Sequence, residues 1–299
     1  MTIHHLELSA AGLTAKELVE GSVRLVSLPE VCIRVNEMLD EPDVTVAKLG
    51  NVIIQDTSLT ARLLKIVNSS YYGFEGKIET VSRAVTVVGL RELRGLVIAA
   101  SAVEMFSSIP EDVFNKVRFW RHSVYCGVIA RLLAEKCHVL HSERLFVAGL
   151  LHDIGKLIVA QRLQDETRQI ILEAKLGERS EIEIEREHLG FTHAEVGGEL
   201  MKSWNMPETL ISSVTYHHSP RDADKGLMET CLIHIANLLT SEAEYGLDMS
   251  SSAVTQKIDP VAWEVTGLDE SVKEYVLREA GPLFVDALEM ILPRSHPPY

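Results

Sequence analysis

The chain has 299 residues, 46% of them hydrophobic, and a formal net charge of −14 with a pI near 5.3. That length fits one large domain or two small ones with ample apolar content for a core, and the acidic balance argues against binding to nucleic-acid phosphates. The N-terminus, MTIHHLELSAAG, has no basic stretch ahead of an apolar run, so no signal peptide is expected; the apolar run at 145–160 is too short and carries too many functional groups to span a membrane, and the cytoplasm is the expected location.

The periodicity is helical nearly everywhere. Val31, Val35, Met38 and Leu39 share one face of a helix that Asp40-Glu41-Pro42 stops. Thr45 is placed to cap a helix carrying Val46, Leu49, Ile53 and Ile54. Thr57 or Ser58 can cap the next, with Leu59, Leu63, Leu64 and Val67 facing in. In the following loop Tyr71, Tyr72 and Phe74 cluster, either as core packing or as a binding patch. Thr80 opens a short helix ending at Gly89, a helix over about 90–105 follows, and Pro110 suits the first turn of a long one reaching about Lys136. Arg83, Arg91 and Arg94 read as solvated helix faces.

Further helices are expected at 143–160, 164–176, 181–188, 193–204, 207–217, 226–243, 268–279 and 282–291, with a polar, loop-like stretch at 245–261 and a loose tail from Pro293. No segment shows sustained strand alternation, so the expected class is all-α. Cys32, Cys126, Cys137 and Cys231 form no C-x-x-C pair and sit in apolar surroundings, as buried free thiols in a reducing compartment would.

The most informative stretch is Leu145–Ala160, LFVAGLLHDIGKLIVA. Thirteen of its sixteen residues are apolar or Gly; the others are His152, Asp153 and Lys156. A carboxylate in such a run costs several kcal/mol unless it is paired, hydrogen-bonded or metal-bound. His122, His193, His217 and His218 have ligand-like placement around it, and Asn237 falls in a later apolar helix. Imidazoles with a carboxylate suit Fe, Mn, Zn or Ni, mono- or dinuclear. The same residues also suit a buried polar network that fixes helix packing.

The string GLLHDIGK resembles the signature of the HD superfamily of metal-dependent phosphohydrolases. Residues 27–73, VSRAVTVVGLREL (81–93), FWRHSV (119–124) and 185–218 make the chain similar, over about two-thirds of its length, to an HDOD domain. The resemblance implies a multi-helix HDOD/HD-type bundle: an N-terminal segment (1–17), an HDOD domain (18–222, with an HD-like core about 115–240) and a C-terminal helical extension (223–299). It implies a metal set of His122, His152, Asp153, His193, His217, His218 and Asn237, with Asp153 and Lys156 as catalytic residues, the latter steadying a phosphate. Two departures stand out. Asn237 occupies the place of a later ligand Asp, and the GYP segment of the related HD-GYP enzymes is missing after His218, where the chain reads SPRDADKG.

The resemblance implies a bacterial signal-transduction module acting through a protein partner or a small phosphate-containing ligand, its metal site weakly active or inactive. The alternative is a metal-dependent phosphohydrolase acting on a nucleotide or other phosphate ester. Loss of the Asp charge at 237 favours the first, because a carboxylate there would tighten metal binding and orient the attacking water.

Overall fold

The computed structural model describes residues 12–22, 28–68, 76–247 and 256–291. Among these the chain forms sixteen α-helices, a short 3-10 turn at Pro220–Asp222 and no strand; the fold is all-α. The Tyr71, Tyr72 and Phe74 cluster and the tail from Pro293 lie outside the described residues.

Local chemistry sets most helix ends. In the N-terminal half lie α1 (Ala15–Ser22), α2 (Glu30–Leu39), α3 (Val46–Ile53), α4 (Thr57–Val67), α5 (Val81–Val88) and α6 (Leu90–Met105). The Thr45 and Thr80 side chains accept from Lys48 N and Arg83 N, capping α3 and α5. Asp56, not Thr57 or Ser58, caps α4. Arg94 is not on a solvated face: it donates to the Asn205 carbonyl (2.8 Å) and pairs with Asp40, tying α6 to α2 and to the chain near 205.

The second half comprises α7 (Lys116–Lys136), α8 (Glu143–Leu151), α9 (Ile154–Arg162), α10 (Gln164–Ala174), α11 (Glu181–Leu189), α12 (His193–Ser203), α13 (Glu208–Tyr216), α14 (Leu227–Leu247), α15 (Pro260–Thr266) and α16 (Val272–Ile291). Asn115 caps α7, so Pro110 lies ahead of the helix rather than in its first turn. The helix expected over 143–160 is two helices: the chain leaves α8 at His152 and turns through Asp153 (φ −96°, ψ 7°) into α9. The two helices expected over 268–291 are one, with Pro282 inside it.

α7 is the hub, with α8, α14 and α16 packed along it, while α9 packs on α12 and α12 on α13. Glycines allow the closest approaches. A Cβ on Gly149 of α8 would lie 2.6 Å from Gly127 Cα of α7, and one on Gly155 of α9 would lie 1.9 Å from the His193 carbonyl oxygen. A single apolar cluster runs through both halves, with Phe106, Trp120 and Phe146 among its largest buried members. Cys32, Cys126 and Cys231 are buried free thiols; Cys137 is only half-buried.

Candidate metal centre

The ligand-type residues sit at helix ends as well as on helix faces. His152 is the C-cap of α8 and His217 the C-cap of α13, and both rings fold back the same way. His152 Nδ1 donates to the Gly149 carbonyl (2.6 Å) and His217 Nδ1 to the Val214 carbonyl (2.7 Å), each satisfying an acceptor that the helix end leaves open. That fixes the proton on Nδ1 and turns Nε2 inward. Both Nε2 atoms are buried and have no hydrogen-bond partner.

His193 reaches the same point from the start of α12. Gly190 ends α11 in the left-handed region (φ +81°), a conformation that costs a side-chain-bearing residue but not glycine. The chain then doubles back so that Glu185 of α11 faces His193. Both Glu185 carboxylate oxygens lie 2.8 Å from His193 Nδ1, and one also accepts from the His193 backbone N–H (2.9 Å). His122 of α7 follows the same pattern, with Nδ1 3.0 Å from Glu244 and Nε2 3.0 Å from Asn237 Oδ1, both on α14.

Asp153 stands at the centre. It is the N-cap of α9 but makes no capping bond, so its carboxylate is free to face the rings. Oδ1 lies 3.0 Å from His193 Nε2 and 3.5 Å from His217 Nε2, though neither contact is aligned as a hydrogen bond. Oδ2 lies 3.1 Å from Lys156 Nζ, 3.4 Å from His152 Nε2 and 3.9 Å from His122 Nε2. His218 completes the ring, its Nε2 3.3 Å from that of His193. All the sequence-derived site residues therefore converge on one place. Lys156 also contacts Glu181 of α11 at 2.8 Å, so two carboxylates hold its ammonium.

Burial and charge pull these groups apart. Burial pushes His152 down to about 3, against the pull of Asp153, so the ring is neutral near pH 7. Burial likewise lowers His217, and lowers His218 strongly. Burial opposes a charge on His193 too, but Glu185 and then Asp153 outweigh it and raise the ring to about 9. Burial would raise Asp153; His152, Lys156 and His193 together hold it well below the usual carboxylate range.

The donor atoms divide into two groups, Asp153 with His193, His217 and His218, and His122 with His152 and Asp153. Within each group the atoms lie within 4.8 Å of one another. Asp153 belongs to both, as a bridging carboxylate would. The set fits a divalent transition metal on physical grounds: the lowered imidazoles of His152, His217 and His218, one ionised carboxylate, and buried nitrogens on His152 and His217 with no protein partner.

Sequence reasoning missed Glu185, Glu181 and Glu244. Glu185 lies eight residues before His193, and Glu244 lies two helical turns beyond Asn237 on α14. It also missed His234, whose Nδ1 donates to the His217 carbonyl (2.8 Å) while Nε2 accepts from Asp259 N–H (3.0 Å), fixing the backbone of a ligand-type residue.

Known proteins bear on this arrangement at two levels. The HDOD domain model matches residues 25–220. The chain belongs to the HDOD family. An uncharacterized protein of Treponema pallidum (strain Nichols) is 28% identical over 203 residues, 64% of this chain; the chain spans only 37% of that relative's length. A candidate phosphohydrolase from Shewanella amazonensis SB2B shares the fold with a TM-score of 0.70 at 21% identity, over 92% of this chain and 97% of that one. A candidate signal transduction protein from Marinobacter aquaeolei VT8 does so with 0.67 at 19%, over 97% of this chain and 68% of that one. No helix among the described residues of this HDOD chain is long and apolar enough to cross a membrane.

Proposed function

We propose that this HDOD chain is a signalling module whose His/Asp centre holds one or two divalent transition metal ions and turns over phosphate esters weakly or not at all. The observation that carries the metal reading is that His152 Nε2 and His217 Nε2, buried with no hydrogen-bond partner, both face the Asp153 carboxylate. His122, His152, Asp153, His193, His217 and His218 would hold the metal, with Asn237 beside His122. A bound ion would supply Lewis acidity and a bound water of lowered pKa.

Three features favour binding over hydrolysis. Asn237 brings an amide oxygen and no charge where a carboxylate would strengthen the site. Lys156, the group placed to steady a phosphate, is already held by Asp153 and Glu181, so a phosphate would have to displace a carboxylate from it. The centre is also nearly closed: His152, Asp153, His193 and His217 are all buried. Signal output on this reading passes to a protein partner or responds to a small ligand.

The test is metal analysis of the purified chain beside hydrolysis assays of wild type, Asn237→Asp and Asp153→Ala with Mn, Fe, Ni or Mg. Bound metal in wild type, its loss in Asp153→Ala and negligible turnover of nucleotides, cyclic dinucleotides and simple phosphate esters are expected. Robust wild-type hydrolysis that vanishes in Asp153→Ala would establish the phosphohydrolase instead. A metal-free wild type would leave a packing network in place of a metal site.

A further inference from the structure

The two groups of donor atoms are built to the same plan but not to the same strength. In each group one histidine is backed by a carboxylate at Nδ1: His193 by Glu185, His122 by Glu244. In each, a second histidine is backed by a helix-end carbonyl. The difference lies in what else is present. The His193 group has three imidazoles and Asp153, and its backing Glu185 is buried and gripped by both oxygens and a backbone N–H. The His122 group has two imidazoles, the same shared Asp153 and only the neutral amide of Asn237. Its backing Glu244 makes a single contact to the ring and is 26% exposed.

We infer that Glu244 is the positioning carboxylate of a second, weaker and exchangeable metal subsite, in which its charge stands in from behind His122 for the carboxylate that Asn237 does not supply. The inference rests on the metal reading above. A carboxylate on Nδ1–H fixes the tautomer, holds Nε2 toward the ion and makes the ring a better donor; losing such a partner typically weakens metal binding about 10–100-fold. Asn237 and Glu244 are seven residues apart on α14, two turns along one face, so both meet His122 from the same helix. The tight subsite, around His193, stays loaded. The weaker one fills and empties with the free metal concentration, so the chain carries an input for metal availability.

The experiment uses the full chain equilibrated by dialysis against graded free Mn2+, with bound metal counted by mass spectrometry. Circular dichroism checks each variant's fold, and Co2+ absorption reads the coordination at each step. Wild type should load in two steps. Glu244→Gln, which keeps an acceptor oxygen but loses the charge, should weaken the second step at least 10-fold and leave the first unchanged. Glu244→Asp should recover part of the loss, and Asn237→Asp should tighten the second step alone. Glu185→Gln should instead weaken the first step. Loading of two ions with equal affinity, or a Glu244→Gln curve within twofold of wild type, overturns the inference. A wild type that binds no Mn2+ or Co2+ at all overturns the metal reading beneath it, and is told apart by the missing first step.

Discussion

His152 and His193 lie 3.4 and 3.0 Å from oxygens of the same carboxylate, yet they shift in opposite directions. His152 has only a carbonyl behind it and stays neutral down to about 3; His193 has Glu185 behind it and holds a proton to about 9. The consequences for stability differ in sign. The depressed His152, with His217, His218 and His234 shifted the same way, contributes stability that is complete above about 6.5 and drains away as the pH falls. The raised His193 contributes stability that is complete below about 6.5 and is lost as the pH climbs through 9. Each such group costs about 1.4 kcal/mol per pH unit between its unfolded and folded values. For protein stripped with EDTA, the urea midpoint should peak near neutral pH and fall on both sides, more steeply toward acid. A midpoint that does not move between pH 7 and pH 5 would show that these rings are not buried neutral. The residues that carry this behaviour were only partly legible in the sequence. An isolated His or Asp in an apolar run announces itself, because burial without a partner is costly. Glu185 and Glu244 lie on helices with polar faces, where a carboxylate looks like ordinary surface until the fold shows what it touches.

The helices were legible where local chemistry decides them and illegible where packing does. Thr45, Thr80 and Gly89 are side-chain caps and a helix stop, and their positions follow from neighbouring residues alone. The break between α8 and α9 leaves no such mark. The apolar run LLHDIGKLIV continues through it, and the turn at Asp153 goes with the contact of α9 against α12 across Gly155. Pro282 misled in the other direction: α16 runs through it, held against α7 by contacts such as Tyr125 on Phe284, ring centroids 5.0 Å apart. α15 was missed, although Asp259-Pro260 offers an N-cap followed by proline in the first turn. Gly155 gives the sharpest test at this scale. Its missing side chain sets the spacing between the helix that carries Asp153 and the one that starts with His193. Gly155→Ala should cost about 1–3 kcal/mol through forced separation. It should also release metal, read by thermal unfolding beside metal content. Wild-type metal content in a folded Gly155→Ala protein would mean that the two helices can part without disturbing the centre.

For the whole molecule, the question is where the working unit ends. The HDOD match stops at residue 220, but α14, which follows, packs along α7 and α8 and brings Asn237 and Glu244 to His122. Its inner face, with Cys231, Leu232, Ile235, Ala236 and Leu239 all fully buried, is part of the common core. A chain ending at Asp222 should therefore lose cooperative unfolding and bind an exposed-hydrophobe dye, because the surfaces of α7 and α13 that α14 covers would meet water. Sharp thermal unfolding of that shortened chain would place the end of the folding unit before α14.

His122 and Asn237 meet although 115 positions separate them, and the rings of α8, α12 and α13 are dispersed in between. Only His152-Asp153 and His217-His218 are neighbours before folding. An unfolded chain would have to close several long loops at once to grip an ion, and the entropy of each closure weighs against it. In this respect the chain is unlike a zinc finger, whose few closely spaced ligands let the ion create the fold. Here the polypeptide must find its topology first, and an ion could be taken up only at the end. On the metal reading proposed above, uptake would follow assembly: a chain trapped with α14 astray leaves His122 without Asn237 and Glu244 and could not fill that side.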